Sequence, residues 1–169
     1  MKERNLFNLL QNSAVGAIAI HSFVHGYFNI AKHKEEKETY PRLEYLFYIL
    51  PIVFNENSME TFRSSTQLYT ALKSNNTIVL GLQERANKMS GQTFDALNLA
   101  FSKNILTYNK TNKTVELLKG FQTKKLPLPL SMNSSENSVK KLQDSANKLG
   151  AIFAKRHYIN IQTELNIRF

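Results

Sequence analysis

The chain has 169 residues, a formal net charge of +9 and no cysteine. This length is enough for one domain with a hydrophobic core, in which roughly 65–70% of the unfolded chain's surface is buried on folding. The lack of cysteine excludes disulfides, cysteine-ligated zinc and thiol catalysis.

The first apolar stretch, residues 14–31, contains no charged side chain. Its length is near the lower limit for a membrane-spanning helix, but His21, His25 and Asn29 make it too polar for a lipid environment. We therefore expect a buried helix in a cytoplasmic protein that makes no membrane contact. Polar residues also interrupt the apolar run within residues 1–20, so we interpret this segment as mature protein and not as a signal peptide.

This helix is expected to begin after a cap at Asn12 or Ser13 and to end near Lys34. One of its faces carries small residues that would let another helix approach closely, namely Ala19, Ser22 and Gly26. We expect the neighbour of this helix to be the next apolar segment, residues 43–54, which Pro51 must either kink or end.

Residues 80–118 are predicted to form a winged-helix-like unit. The spacing of apolar residues predicts a first helix over residues 80–89 and a second helix over residues 92–103, with Ser90 as the N-cap between them. A β-hairpin is then expected to form the wing.

The second helix of this unit is predicted to have two distinct faces. Apolar residues at spacings of three and four predict a buried stripe, made of Phe94, Leu97, Phe101 and Ile105. The outward face is our candidate for binding a protein partner and consists of Gln92, Asp95, Leu99 and Ser102. An outward leucine favours a protein partner over DNA, since apolar surface rimmed by polar residues is typical of protein interfaces.

DNA binding is the alternative function. A recognition helix normally presents basic or amide side chains to DNA, whereas here only its last residue is basic. A wing built from residues 105–108 and 114–118 would add lysines that can contact the phosphate backbone. Beyond residue 118, nine Lys and Arg residues stand against three Asp and Glu residues. The candidates for nucleic-acid contacts are Lys103, Lys110, Lys113, Lys140 and Lys141.

The rest of the chain is predicted to be helical apart from one linker. Short helices are expected at residues 59–63 and 66–74, a longer helix at 138–155, and a final helix that starts at Asn160. The predicted fold class is mostly α, in one compact domain with an N-terminal helical part (1–79), the winged-helix-like unit (80–118), a linker (119–137) and C-terminal helices (138–169).

No arrangement of residues in the sequence favours catalysis. His21 and His25 have the i, i+4 spacing with which two imidazoles share a metal. However, the glutamate of the zinc-protease motif is missing and no third ligand is identifiable, so we expect a structural role for both. No nucleophile elbow, phosphate-binding glycine loop or P-loop lysine occurs. We expect no enzymatic activity and no metal or cofactor.

Several blocks of the sequence resemble one bacterial protein family. The block GLQERANKMSGQTFDALNLAFSKNILTYN is similar to the most distinctive part of the middle components of three-component ABC systems. The segments NSAVGAIAIHSFVHGY, LPIVF, KLGAIFAK and LNIRF resemble further parts of that family and occur in the same order. The resemblance covers most of the chain apart from residues 32–40 and 119–137.

This resemblance implies a non-enzymatic adaptor. It would act between an ABC ATPase subunit of the SMC/Rad50 type and an effector subunit, as part of a hetero-oligomer that responds to phage or foreign DNA. Direct contact with DNA would be secondary. The family supplies no catalytic motif to carry over, so the matched positions are candidates for fold or partner contacts only: Leu82, Arg85, Ala86, Thr93, Leu97, Asn98 and Ala100.

Overall fold

The protein is mostly helical, as predicted, and the computed structural model describes residues 12–35 and 38–169. The interpretation of residues 1–20 as mature protein falls partly on residues 1–11, which lie outside the described residues. The helices are α1 (Ser13–Ala31), α2 (Leu43–Leu46), α3 (Ile49–Val53), α4 (Glu56–Ser64), α5 (Leu68–Ser74), α6 (Leu82–Lys88), α7 (Ser90–Ser102), α8 (Ser138–Ala154) and α9 (Tyr158–Leu165), with short 3₁₀ turns at Asn76–Val79 and Leu130–Met132. The strands are β1 (Leu106–Asn109) and β2 (Thr114–Leu117).

Helix α1 is the central element of the core. Its predicted start is confirmed, because the Asn12 side chain accepts a hydrogen bond from the Ala14 amide at 2.9 Å. In the described part of the chain, α1 alone is long and apolar enough to cross a membrane, and 72% of that stretch is buried within the fold. Such burial is typical of a core helix, and one helix of this kind is weak evidence for a membrane span.

The close approach predicted for α1 is present, but it is made by α8. Residues 43–54, the predicted neighbour, also pack against α1, through α3. A Cβ atom added at Gly26 would overlap the Asn147 carbonyl oxygen, and one added at Gly150 would overlap the Phe23 carbonyl oxygen. The backbones of α1 and α8 therefore meet directly at these glycines. The sequence could not predict this contact, because α1 and α8 are far apart in the chain. The spacing of residues within α1 does not specify which helix packs against it.

Residues 43–54 form two short helices rather than one kinked helix. Pro51 lies in the first turn of α3, where its missing N–H would have donated to the Phe47 carbonyl of the preceding turn. The chain consequently leaves the α-helical pattern between Leu46 and Ile49 and resumes it afterwards. The break therefore precedes the proline.

Two details of α6 and α7 differ from the sequence prediction. Ser90 is not an N-cap, because it is already helical and its hydroxyl donates to the Asn87 carbonyl at 2.9 Å. The buried face of α7 is also rotated relative to the predicted stripe: Phe94 is 52% exposed and Ile105 is only partly buried. The residues of α7 that are buried are Thr93, Ala96, Leu97 and Ala100.

The predicted hairpin is confirmed. β1 and β2 pair antiparallel, with Leu106 opposite Leu117 and Tyr108 opposite Val115. The free side of β2 is joined at Thr114 by an isolated bridge from Arg42, the residue before α2. The hairpin is thus attached to the N-terminal helices, and the finer winged-helix arrangement of residues 80–118 stays a prediction.

The last part of the chain is fixed onto α1 and α4 through α8. Before α8, the segment predicted as a linker is held by the buried Gln143, whose amide donates to the Leu126 carbonyl at 2.8 Å. Helix α9 starts at Tyr158, two residues before the predicted Asn160, because the His157 side chain caps it.

Candidate protein-docking surface

The four residues predicted to bind a partner lie along one flank of α7. Asp95 and Ser102 are exposed, whereas Gln92 and Leu99 are partly buried. Leu99 packs against the core, and the buried Oε1 of Gln92 has no hydrogen-bond partner among the described residues. The flank therefore offers a polar surface with one half-buried leucine at its centre.

The opposite flank of α7 carries an apolar surface that the sequence did not reveal. The Phe94 ring stands 5.0 Å from the Phe47 ring in an edge-to-face contact, and Phe94 is 52% exposed. An exposed aromatic side chain that is already held by another ring is a favourable anchor for a partner, because little side-chain entropy remains to be lost on binding.

Phe47 also lines a groove of about 310 Å³ between α2, α6 and the hairpin, which we call the Tyr48 groove. Most of its exposed lining is apolar, and three charged residues line it: Glu44, Lys113 and Arg168. The full lining consists of Leu43, Glu44, Phe47, Tyr48, Gln83, Ala86, Asn87, Ser90, Tyr108, Lys113, Arg168 and Phe169.

Hydrogen bonds within the chain fix one wall of the Tyr48 groove. The Tyr48 hydroxyl lies 2.7 Å from the Arg168 carbonyl oxygen, to which it donates. The Gln83 side-chain oxygen accepts from the Arg168 amide at 2.8 Å. Burial raises the pKa of the Tyr48 hydroxyl, so it stays a donor at neutral pH. The ring of Phe169 packs 5.4 Å from that of Tyr48 and completes the wall.

Helix α6, which forms the other wall, is tied to its surroundings by Arg85. Its guanidinium group donates to the Pro51 carbonyl at 3.2 Å and to the Ile78 carbonyl at 2.8 Å. Burial lowers the pKa of Arg85, yet the group remains charged at neutral pH because its ordinary pKa is above 12. Arg85 therefore stabilises the fold by joining α6 to the backbone at Pro51 and Ile78.

The five lysines considered for nucleic-acid contacts lie in two different environments. Lys103, Lys110 and Lys113 are exposed at the end of α7 and on the hairpin turn. By contrast, Lys140 pairs with Asp144 at 3.2 Å and Lys141 pairs with Glu60 at 3.1 Å. Part of the positive charge after residue 118 is thus compensated within the chain.

The histidine pair of α1 is embedded in the core. The two rings stack at 6.0 Å, His21 Nε2 lies 3.3 Å from the Phe121 carbonyl oxygen, and His25 Nδ1 lies 3.2 Å from the Asn147 amide nitrogen. Burial, with the neighbouring His25, lowers the pKa of His21 to about 4. No group of three potential ligands occurs within residues 12–35 and 38–169. These contacts support the structural role expected for His21 and His25.

A second, more polar cleft of about 600 Å³ lies between the end of α1 and α9. Several of its charged groups are engaged within the chain: Arg42 pairs with Glu38 at 3.2 Å, and Arg156 pairs with Glu164, which lies outside the lining, at 3.4 Å. Lys34 donates to the Ala154 carbonyl at 3.3 Å. This cleft therefore offers fewer uncommitted groups to a ligand than its size indicates.

Comparison with known proteins identifies one match. The family model described as ABC-three component (ABC-3C) system Middle Component 3 matches residues 2–169. No curated protein and no solved structure matches the chain. The match extends over nearly the whole sequence and agrees with the resemblance carried by the sequence blocks.

Proposed function

The chain belongs to the Middle Component 3 family of ABC-three component systems, and we propose that it is a non-enzymatic, cytoplasmic adaptor. It links an ABC ATPase subunit of the SMC/Rad50 type to an effector subunit in a bacterial system directed against phage or foreign DNA. The observation that carries this proposal is the family match over residues 2–169, since a middle component works with the other components of its system.

An adaptor needs two separate docking surfaces, and the two flanks of α7 are suited to this. One flank carries Gln92, Asp95, Leu99 and Ser102. The other carries Phe94, which is half exposed and continues into the Tyr48 groove. The two flanks lie on either side of the buried residues of α7, and we propose that each flank contacts a different partner.

Co-expression with the products of the neighbouring genes tests the proposal. We expect the chain to co-purify with an ATPase subunit and an effector subunit. Leu99→Asp should weaken the complex, because it places a charge on the contact surface. Since Leu99 also packs against the core, this variant should lower the unfolding temperature as well. Asp95→Arg changes an exposed residue of the same flank and should weaken the complex while thermal unfolding remains close to wild type. A monomer that binds neither component would refute the adaptor function, and full assembly of Leu99→Asp would remove that flank from the interface.

A DNA-binding regulator is the second candidate. It is favoured by the exposure of Lys103, Lys110 and Lys113, which take part in no ion pair among the described residues. Binding of the purified chain to duplex DNA should then weaken steeply with salt, and replacing the three lysines by Gln should reduce the salt dependence. No binding at low salt would exclude this function.

A further inference from the structure

We propose that the Tyr48 groove binds a polypeptide segment of another component of the system, with one large apolar side chain in the groove and one adjacent Lys or Arg paired with Glu44. This inference rests on the proposed adaptor function and specifies one of its interfaces. The partner is defined by its chemistry: a short segment with a single basic residue beside an aromatic or long aliphatic one.

The shape and lining of the groove favour a side chain over a small-molecule cofactor. Its volume of about 310 Å³ is at the lower end of the range for small-molecule pockets. Two polar groups of the wall, the Tyr48 hydroxyl and the Gln83 side-chain oxygen, are already engaged with Arg168. These two groups are therefore not free to orient a polar ligand, whereas the apolar part of the lining can accept a hydrophobic anchor.

The apolar surface does not end at the rim of the groove. Phe47 belongs to the groove, and its ring contacts Phe94, which is 52% exposed. Tyr108 on the hairpin side is 36% exposed. A segment that crosses α7 can thus bury Phe94 while its anchor enters the groove.

Glu44 specifies the charge of the occupant. Glu44 is partly buried, and its Oε2 atom, which is shielded from solvent, has no hydrogen-bond partner among the described residues. A buried carboxylate oxygen without a donor is costly, and a Lys or Arg supplied by a partner would remove this cost. The other two charged groups of the groove, Lys113 and Arg168, are cationic, so a segment with several basic residues would be repelled.

Peptide binding by the purified full chain tests the inference. The probes are overlapping peptides that cover the sequences of the ATPase and effector subunits. We expect wild type to bind peptides that share one large apolar residue next to one Lys or Arg. Glu44→Gln, which removes the charge and keeps the shape, should weaken binding roughly tenfold or more. Glu84→Gln is the matched control on exposed α6 surface and should bind as wild type.

A second variant blocks the groove without relying on charge. Asn87 is exposed on α6 and lines the groove, so Asn87→Trp should fill the groove while leaving the fold intact. Asn160→Trp makes the same exchange at an exposed position of α9 away from the groove. We expect loss of peptide binding only in Asn87→Trp, with unchanged circular dichroism in both.

Variants in the co-expressed complex distinguish a failure of this inference from a failure of the adaptor function. Glu44→Arg should weaken assembly, and exchanging the partner's basic residue for Glu should restore it. Assembly that is unaffected by Glu44→Arg and Asn87→Trp would overturn this inference and leave the adaptor function standing. A chain that binds no component would overturn both. Self-association abolished by Asn87→Trp would assign the groove to a second copy and also overturn the inference.

Discussion

Replacing Gly150 by Ala should destabilise the protein, because α8 meets α1 without room for a side chain. The added Cβ would overlap the Phe23 carbonyl oxygen and lie 2.9 Å from both the Phe23 carbonyl carbon and the Tyr27 amide nitrogen. All three atoms belong to the backbone of α1, so no side-chain rotation can relieve the clash. The two helices must move apart.

The size of the effect follows from opposing contributions. Ala is favoured over Gly in a helix interior by about 1 kcal/mol. Overpacking a well-packed core costs typically about 1–3 kcal/mol and occasionally more. When the two helices move apart, a gap of roughly 0.5–1 Å between their contacting atoms loses a quarter to a half of the dispersion energy. Since the clash is with backbone, we expect a net loss of about 2 kcal/mol or more.

Urea denaturation of the full chain followed by circular dichroism measures this loss. A decrease of about 2 kcal/mol corresponds to a fall in Tm of roughly 4–8 °C for a protein of this size. The matched control is Gly91→Ala in α7, where an added Cβ has nothing within 4 Å; it should raise stability by about 0.5–1 kcal/mol. A Gly150→Ala protein as stable as wild type would refute the direct backbone contact between α1 and α8.

Three further predictions concern buried and exposed groups. Burial lowers the pKa of His21 from 6.5 to about 4, so the stability associated with neutral His21 is fully present above pH 6.5 and is lost as the pH falls towards 4. His21→Gln should therefore flatten the pH dependence of unfolding between these values by up to roughly 3 kcal/mol, and a profile parallel to wild type would contradict this. Arg85→Met keeps the apolar stem but leaves the Pro51 and Ile78 carbonyls without their donor, and should cost about 2 kcal/mol in urea denaturation; a change near zero would mean that these hydrogen bonds contribute little. Phe94→Ser should lower the free energy of unfolding by only about 1–2 kcal/mol, because the ring is half exposed and loses its contact with Phe47, but should weaken co-purification with a partner; intact assembly would exclude this flank.

Elements with strong local signals could be predicted from the sequence. The Asn12 side chain caps α1 as expected, and the two β-prone runs around an Asn-rich turn form the predicted hairpin. In both cases the residues that decide the structure are neighbours in the chain. A helix cap or a tight turn can therefore be predicted from the sequence without knowledge of the rest of the fold.

The orientation of α7 could not be predicted in this way, because its buried face consists mainly of small residues. A Cβ added at Gly16 of α1 would lie 2.9 Å from the Ala96 Cβ atom, so the two helices meet through small side chains. Hydrophobic periodicity instead gives most weight to large residues such as Phe94, which is 52% exposed. The prediction therefore placed the largest apolar side chains on the buried face of the helix, which small residues in fact occupy.

The Tyr48 groove was also beyond sequence reasoning, since its walls come from separate parts of the chain. Glu44, Gln83, Tyr108 and Arg168 lie on four different elements or segments and converge only in the folded protein. Even the exposed Phe94 that extends the groove was expected to be buried. Its contact with Phe47 joins residues 47 positions apart, and no local pattern encodes such a contact.

The proposed function requires that this chain connects the ATPase to the effector. The most direct measurement is recovery of the effector on an affinity-tagged ATPase subunit, with this chain present or absent. We expect recovery of the effector only when the chain is present. Equal recovery without the chain, or a chain that joins neither subunit, would contradict it.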